Sequence, residues 1–258
     1  MKGKYMIRLT IHLLCLMPSL LLAQNGFKTI PNETDRSTEY YILDEDSDST
    51  QCYLYLFKES NNYMLLINYH ISQGLTQSYF LSQGEYTAIN QQITLRDDVN
   101  NLIMRAQRND FDDLIFEHGL DFMNGATFVF AEQTTQLPGP PYRYIVSSDR
   151  MIQTAIEKSR TTEYHEQIAD SRYQTKLFSN HLLADLKLKD DQTFTYHFMH
   201  YPLMLGTWQQ ENRLVTLTSE SGVVFYGSIE PSLLDFIVIQ LPGFIFASSD
   251  NSLLYRAK

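Results

Sequence analysis

The histidines are the most obvious metal ligands in this chain, but their spacing argues against a shared ion. His197 and His200 are three residues apart in a stretch that alternates like a β-strand. Positions three apart on a strand face opposite sides, so both imidazoles reach one ion only if the strand bulges. Four further histidines show no ligand spacing, namely His70, His118, His165 and His181. We therefore predict surface histidines, no metal site and no cofactor.

One acidic run has the alternating oxygens of a calcium loop. It consists of Asp44-Glu45-Asp46-Ser47-Asp48. A calcium loop of this type also needs a glycine for its turn and a distal bidentate glutamate, and both are missing. We interpret the run as a solvated acidic loop.

Catalytic motifs are absent from the sequence. It contains no Gly-x-Ser-x-Gly, no His-Glu-x-x-His and no glycine-rich phosphate loop. Ser, Asp and His side chains, or two carboxylates, could still converge in space as hydrolases require. We predict no catalytic residue, and a hydrolase with its site between two structural units stays open as an alternative.

The amino terminus has the pattern of a secretory signal. Lys2, Lys4 and Arg8 precede an apolar stretch at residues 11–22, and Ala23 offers a cleavage point. An uncleaved membrane anchor is the alternative, but this stretch is shorter than the ~20 residues of a spanning helix. The pattern predicts a signal peptide over residues 1–23 and an exported protein, periplasmic or extracellular, with no transmembrane segment after cleavage.

Charge and cysteine content restrict the partners and the covalent chemistry. The chain has a formal net charge of −10, and removal of residues 1–23 leaves 17 basic and 30 acidic residues, a charge of −13. That excess disfavours nucleic acid and anionic lipid surfaces as partners. Cys52 alone remains after cleavage, so no internal disulfide forms, and we interpret it as a buried structural thiol.

The strongest signal is an internal repeat, which divides the chain into units at residues 24–149 and 150–258. Several segments recur in the same order: Arg36-Ser37-Thr38-Glu39-Tyr40 as Arg160-Thr161-Thr162-Glu163-Tyr164, Gly84-Glu85-Tyr86 as Gly206-Thr207-Trp208, and Phe128-Val129-Phe130-Ala131 as Phe244-Ile245-Phe246-Ala247. Any one match is weak, but the shared order indicates duplication. We interpret the two Glu-Tyr pairs as structural, with a tyrosine closing a barrel mouth.

Within each unit the apolar residues alternate with a period of two, which predicts short strands. In the first unit they fall near 52–58, 63–70, 77–87, 91–96, 101–106, 113–118, 126–131 and 143–147. In the second they fall near 183–189, 193–199, 204–210, 213–218, 222–227, 233–239, 243–247 and 252–257. One helix is predicted near 149–170. The fold class is therefore mainly β, with two tandem antiparallel barrels of about eight strands each and one linking helix.

The second unit resembles a known family of barrels. The residues that carry the resemblance are Leu186-x-Leu188, Phe194, Gly206-Thr207-Trp208, Val215-x-Leu217 and Leu253-Leu254. This pattern is similar to lipocalin-like exported barrels, including the N-terminal barrel of copper-homeostasis and envelope-stress lipoproteins. The resemblance implies that Gly-x-Trp begins a strand after a turn and that the ring plugs one barrel end. The paired cysteines of the copper-linked members are missing, so it implies no metal role here.

These observations predict a non-enzymatic exported protein that acts as a binding or envelope-accessory module. Its partner would be a small apolar ligand or an envelope protein. Duplicated architecture without duplicated catalytic residues favours this prediction over an enzyme. The candidate ligand-binding residues are the aromatic side chains expected inside the barrels, namely Tyr196, Phe198, Trp208, Tyr63 and Tyr86.

Two alternatives remain beside this prediction. One is the hydrolase already mentioned, and the other is a structural or assembly protein with two solid barrels. The run at residues 233–246 is apolar on both alternating faces, which predicts a strand edge that packs against the first unit or a partner. Ligand identity and oligomeric state stay open.

Overall fold

The computed structural model describes most of the predicted strand regions. It covers residues 27–29, 38–44, 50–72, 75–98, 102–134, 143–145, 149–176, 182–230, 236–239 and 253–256. The predicted signal segment, most of the acidic run and the predicted strand at 243–247 lie outside the described residues, as does part of the 233–246 run.

The first barrel is built from a simple antiparallel meander. Its strands are β2 (Thr38–Leu43), β3 (Thr50–Phe57), β4 (Asn62–Ser72), β5 (Leu75–Ile89), β6 (Gln92–Asp97), β7 (Ile103–Arg108), β8 (Leu114–His118) and β9 (Thr127–Thr134). Each strand pairs with the next, and β2 pairs with β9 to close the barrel. A 3₁₀ turn at Asp121–Met123 joins β8 to β9. Before β2, strand β1 (Phe27–Thr29) pairs with β10 (Arg143–Ile145) in a separate two-stranded sheet.

The second barrel repeats this strand order. Its strands are β11 (Ser171–Lys176), β12 (Leu182–Leu188), β13 (Thr193–Phe198), β14 (Tyr201–Glu211), β15 (Leu214–Ser219), β16 (Val224–Glu230), β17 (Phe236–Ile239) and β18 (Leu253–Arg256). Pairing of β11 with β18 closes it. Helix α1 (Asp149–Thr161) precedes β11 and packs on the outside of β15 and β16. The Ser159 hydroxyl there donates to that of Ser228 at 2.9 Å.

Alternation of side chains explains why these segments are strands. On β13, Phe194, Tyr196 and Phe198 are buried inside the barrel, whereas Thr195 and His197 are half-buried on its outer face. Strands β3, β4 and β5 are apolar on both faces. Their outer-face residues form a second buried cluster of Tyr55, Phe57, Met64, Leu66 and Phe80.

Tight turns with equivalent backbone bonds occur in both barrels. Asn61 (φ 54°) and Gln192 (φ 63°) adopt the left-handed conformation at the turns that precede β4 and β13. The carbonyl of Asn61 accepts from the N–H of Tyr86 at 2.8 Å, and that of Gln192 accepts from the N–H of Trp208 at 2.8 Å. The two barrels therefore share local backbone geometry as well as strand order.

The barrels meet at the ends that carry the turn Met199-His200 and the start of β3. Tyr79, inside the first barrel, makes an edge contact with Phe198 inside the second, with ring centroids 5.4 Å apart. At the edge of this junction Phe122 lies against Tyr201, with centroids 5.0 Å apart. One cluster of buried apolar side chains runs through both barrels. The two interiors thus form a continuous core.

The mainly β architecture with closed barrels and one helix was predicted correctly, but two strand assignments were wrong. The segment near 143–147 does not close the first barrel, because Arg143–Ile145 pairs with β1 and the closing strand is β2. The helix expected at 149–170 ends at Thr161, and strand β11 of the second barrel was not predicted. Its sequence SRYQTK is mostly polar and gives a weak strand signal.

The placement of His200 on a strand was also wrong. Strand β13 ends at Phe198, and Met199 (φ 54°) and His200 form the turn to β14. The His200 ring therefore lies at the junction, 3.4 Å from the hydroxyl of Thr50. Cys52 is buried in the first barrel, as predicted.

The long strands β5 and β14 require glycine where they cross a neighbour. A Cβ on Gly206 would lie 2.0 Å from the carbonyl oxygen of Thr218, and a Cβ on Gly84 would lie 2.0 Å from that of Arg96. The contacting atoms are backbone atoms of a paired strand, so they cannot move without disrupting the ladder.

We predict that Gly206→Ala lowers the free energy of unfolding by about 2 kcal/mol or more, because the added methyl must separate β14 from β15. Chemical denaturation monitored by circular dichroism measures the change. Thr207→Ala, on the exposed face of the same strand, is the control and should cost less than about 1 kcal/mol. Equal effects of the two substitutions would contradict the steric explanation.

Candidate functional site

The five aromatic residues predicted to bind a ligand lie in the interiors of the two barrels. Tyr63 on β4 and Tyr86 on β5 belong to the first barrel, whereas Tyr196, Phe198 and Trp208 belong to the second. All five are buried in the continuous core, and Tyr86, with 8% of its surface exposed, is the most accessible. The structure therefore separates them into two groups instead of gathering them around one site.

Trp208 closes one end of the second barrel. Its indole N–H donates to the carbonyl of Lys189 at 2.8 Å, so the ring lies against the turn between β12 and β13. The ring that the resemblance expects to plug a barrel end thus lies beside a turn at one end of the barrel. The implied strand start at Gly206 is wrong, because β14 begins at Tyr201 and Gly206 lies inside it.

A buried polar chain distinguishes the first barrel from the second. The hydroxyl of Tyr63 lies 2.6 Å from that of Ser82, which donates to the carboxylate of Asp97 at 2.5 Å. Asp97 is 1% exposed. The register places Phe194, Met204 and Ser219 at the equivalent positions of the second barrel. This chain is enclosed in the core, so it has no access to a substrate from solvent.

An ion cluster lies at the far end of the first barrel. Glu39 pairs with the ammonium of Lys58 at 2.7 Å and with the guanidinium of Arg108 at 2.8 Å, and it accepts from the Tyr41 hydroxyl at 3.0 Å. Burial acts to raise the pKa of Glu39, but the two cations lower it below its ordinary value. Of the Glu39-Tyr40 pair, only Glu39 joins this cluster; Tyr40 stacks on Tyr55, with centroids 5.9 Å apart.

A cleft of about 450 Å³ lies between the two barrels. The first barrel contributes Leu102, Ile103, Arg105 and His118, and the turn between β15 and β16 contributes Ser221, Gly222, Val223 and Val224. Ile103 and Val224 are 41% and 40% exposed, as are several large apolar side chains elsewhere on the described surface. We name this feature the junction cleft. Its volume is within the range of about 300–1,000 Å³ typical of small-molecule sites.

Two nitrogen-bearing side chains stand together on the first-barrel wall of this cleft. Arg105 on β7 pairs directly with His118 on β8, and a β-bulge follows between Arg105 and Ala106. Directly opposed residues on neighbouring strands place their Cβ atoms about 5 Å apart. Within the described residues neither side chain makes an ion pair or a side-chain hydrogen bond. Both side chains line the cleft.

The opposite wall of the cleft is a rigid turn. The Ser219 hydroxyl accepts from the backbone N–H of Val223 at 3.0 Å and lies 2.8 Å from the hydroxyl of Ser221. Gly222 adopts φ +83°, a conformation that suits glycine. This wall therefore presents Val223 and Val224 from a fixed backbone.

Asp121 is a half-buried acidic group at the junction. The 3₁₀ turn that carries it packs against β14. One carboxylate oxygen, Oδ2, is buried without a hydrogen-bond partner in the described part of the chain. Burial, with a smaller contribution from nearby Glu220, raises the pKa of Asp121 to about 6, and a backbone hydrogen bond from Leu205 opposes the shift. The ionised form is therefore disfavoured in the folded protein.

Other classes of site find no support in the part of the chain that the structure describes. No group of three or more His, Cys, Asp or Glu side chains is arranged to hold a metal ion there. No helix among these residues combines the length and apolar character needed to cross a membrane.

Comparisons with known proteins leave the family open. No family model matches the chain, and no curated protein matches it. Among solved structures, the chain is similar to the Cpx pathway activator NlpE from Escherichia coli at 10% identity. That similarity covers 86% of this chain and 90% of the other, with a TM-score of 0.22. We draw no inference about fold or function from a similarity at that TM-score.

Sequence reasoning did not single out the junction cleft. His118 was noted only as a scattered histidine, and Arg105 was not considered. The sequence signal that could have found Arg105 is the alternation on β7. It places Ile103 and Arg105 together on the outer face of the strand, and both are exposed there. The second wall comes from residues more than a hundred positions away, so only the packing of the barrels shows it.

We predict that Asp121→Asn stabilises the protein at pH 7.5 but not at pH 4. The pKa of about 6 in the folded state is above the ordinary 3.8. The protonated carboxyl therefore contributes stability that is fully present below pH 3.8 and is lost as the pH rises through 6. Asparagine removes the cost of the buried charge. We expect a gain of about 1 kcal/mol at pH 7.5, discounted for the partial exposure of the side chain.

Thermal and chemical unfolding at the two pH values measure this effect. Asp110→Asn, in an exposed turn at the far end of the first barrel, is the matched control and should change stability little at either pH. An Asp121→Asn variant that is equally destabilised at both pH values would contradict the prediction.

Proposed function

We propose that this protein is an exported, non-enzymatic binding protein that holds a small apolar molecule in the junction cleft. The observation that carries the proposal is the cleft itself, which combines a ligand-sized volume, exposed apolar side chains and two nitrogen-bearing side chains that form no ion pair within the described residues. Ligand sites are concave and combine apolar side chains with a few convergent polar groups.

The barrel interiors are less suited to a ligand than the cleft. An eight-stranded barrel is either filled by side chains or wide enough for one small ligand. Both interiors here contain large side chains with almost no exposed surface, such as Tyr63 and Tyr79 in the first barrel and Tyr196 and Phe198 in the second. We therefore assign the five predicted aromatic residues to core packing.

A catalytic role for the cleft has weaker support. Ser221 and His118 both line it, but the Ser221 hydroxyl is paired with Ser219, and no hydrogen bond joins it to His118. A serine nucleophile needs a base within hydrogen-bond reach. The carboxylate of Asp121 contacts β14 and is directed into the junction. Binding without chemistry is therefore the better proposal for these residues.

The proposed location and origin rest on the sequence. The pattern of residues 1–23 supports export to the periplasm or the extracellular space, and the excess of acidic residues supports a partner other than nucleic acid. We also propose that the lipocalin-like barrels are two copies of one ancestral unit. The equivalent turns at Asn61 and Gln192 and the equivalent glycines Gly84 and Gly206 support this.

Methyl NMR with an uncharged fluorescent apolar probe, N-phenyl-1-naphthylamine, tests the proposed site. We predict chemical-shift changes at Ile103, Val223 and Val224, because their methyls line the cleft. Core methyls of the barrels, such as those of Leu65 and Leu217, should change little. Changes confined to the core methyls would move the site into a barrel, and no saturable change anywhere would overturn the proposal.

A pair of variants provides the matched control for that experiment. Val224→Asp places a charge in the cleft and should abolish the saturable probe fluorescence. Ile89→Asp makes the same kind of change at a residue that is 69% exposed at the far end of the first barrel. It should leave probe binding unchanged.

A further inference from the structure

We propose that the ligand of the junction cleft is a fatty acid, an apolar chain that ends in a carboxylate. This inference rests on the proposed binding function and adds the chemical class of the ligand. It is carried by two features that occur together on the cleft surface. One is a guanidinium, without an ion pair among the described residues, beside an imidazole; the other is the exposed aliphatic side chains next to both.

The carboxylate would bind at Arg105. A guanidinium presents its N–H donors as a planar fork that matches the two oxygens of a carboxylate. Arg105 is exposed, and no acidic side chain in the described part of the chain pairs with it, whereas Arg108 on the same strand is held by Glu39. His118, directly opposite Arg105, offers a ring N–H donor in either protonation state.

The β-bulge at this point is part of the arrangement. The register places Arg105 opposite His118 but Ala106 opposite Phe116, so Glu117 is the extra residue of the bulged strand. Bulges re-aim side chains and interrupt regular pairing, and they are common beside binding sites. Here the bulge keeps His118 on the same outer face as Arg105, next to the cleft.

The surrounding charge selects for a ligand with a single negative charge. The chain carries a formal net charge of −10, and the exposed acids Glu117 and Glu220 lie on the elements that border the cleft. A multiply charged phosphate compound would meet these carboxylates as well as one guanidinium. A monocarboxylate needs one cation, and it gains the remaining affinity from its apolar chain.

The aliphatic side chains give the apolar chain a place to lie. Ile103 is on the same strand face as Arg105, two residues away, and Val224 projects from the opposite wall. A bound alkyl chain would cover both side chains, each of which is now about 40% exposed. Burial of such surface contributes roughly 25 cal/mol per Å².

Isothermal titration calorimetry of the full chain with dodecanoate and with dodecan-1-ol, below their aggregation limits, tests the inference. The two ligands share the alkyl chain and differ in the charged group. We expect dodecanoate to bind about 10-fold more tightly, because a carboxylate forms charge-assisted hydrogen bonds with a guanidinium that are stronger than those of a neutral hydroxyl. Sodium acetate, which has the carboxylate without the chain, should show no measurable binding.

Arg105→Gln should weaken dodecanoate about 10-fold and change dodecan-1-ol less than about 2-fold. Arg96→Gln is the matched control, since Arg96 is exposed on the neighbouring strand, directly opposite Ile103, but does not line the cleft. It removes the same charge and should leave both affinities within about 2-fold of the parent, because an exposed charge outside the site contributes little.

The outcomes separate this inference from the proposed function. If dodecanoate and dodecan-1-ol bind with equal affinity and Arg105→Gln changes neither affinity, the proposed carboxylate specificity is wrong, but the proposed binding of an apolar molecule in the cleft stands. Equal losses in Arg105→Gln and Arg96→Gln would show a general charge effect and would also overturn it. If neither ligand nor the uncharged naphthylamine probe perturbs the cleft methyls, the proposed function itself fails.

Discussion

The contact of Tyr79 with Phe198 joins the interiors of two closed barrels, and the shape of the whole molecule depends on that end-to-end packing. Each barrel satisfies its backbone hydrogen bonds by closure, so neither presents a free sheet edge to its neighbour. The ends are what remain for association, and here their apolar cores merge into one cluster. A cleft lies beside the contact, between β7 and the turn that precedes β16.

The same backbone frame carries different interiors in the two barrels. The first contains the polar chain from Tyr63 through Ser82 to Asp97, whereas apolar or smaller groups occupy the equivalent places in the second. Buried polar groups are tolerated when they are hydrogen-bonded to one another. At the junction Asp121 is less well satisfied, because one of its oxygens has no partner within the described residues. Because the pKa of Asp121 is raised to about 6, the stability of the junction depends on pH near neutrality.

Much of the strand pattern could be predicted, because aromatic and aliphatic residues alternate strictly with polar ones on strands such as β13. The strands that close the barrels were harder. Strand β11 is largely polar, and β2 was interpreted only as the lead into the first unit. Both strands pair with strands far away in sequence, and the local β-propensity of a segment does not predict such pairing. His200 was misplaced for a related reason, since the residue before it adopts a left-handed turn that a strand pattern does not predict.

The sequence by itself determined the mainly β class, the recurrence of Gly84 and Gly206, the acidic charge and the export pattern at residues 1–23. Those features are local or compositional, so a single chain displays them directly. Only the tertiary structure decided that the predicted aromatic residues are buried in two separate barrels and that Arg105 and His118 share a cleft with Val224. The alternation along a strand shows on which face of the sheet a side chain lies, but not which distant residues pack beside it. The second wall of the cleft comes from the other barrel, so the sequence pattern could not show it.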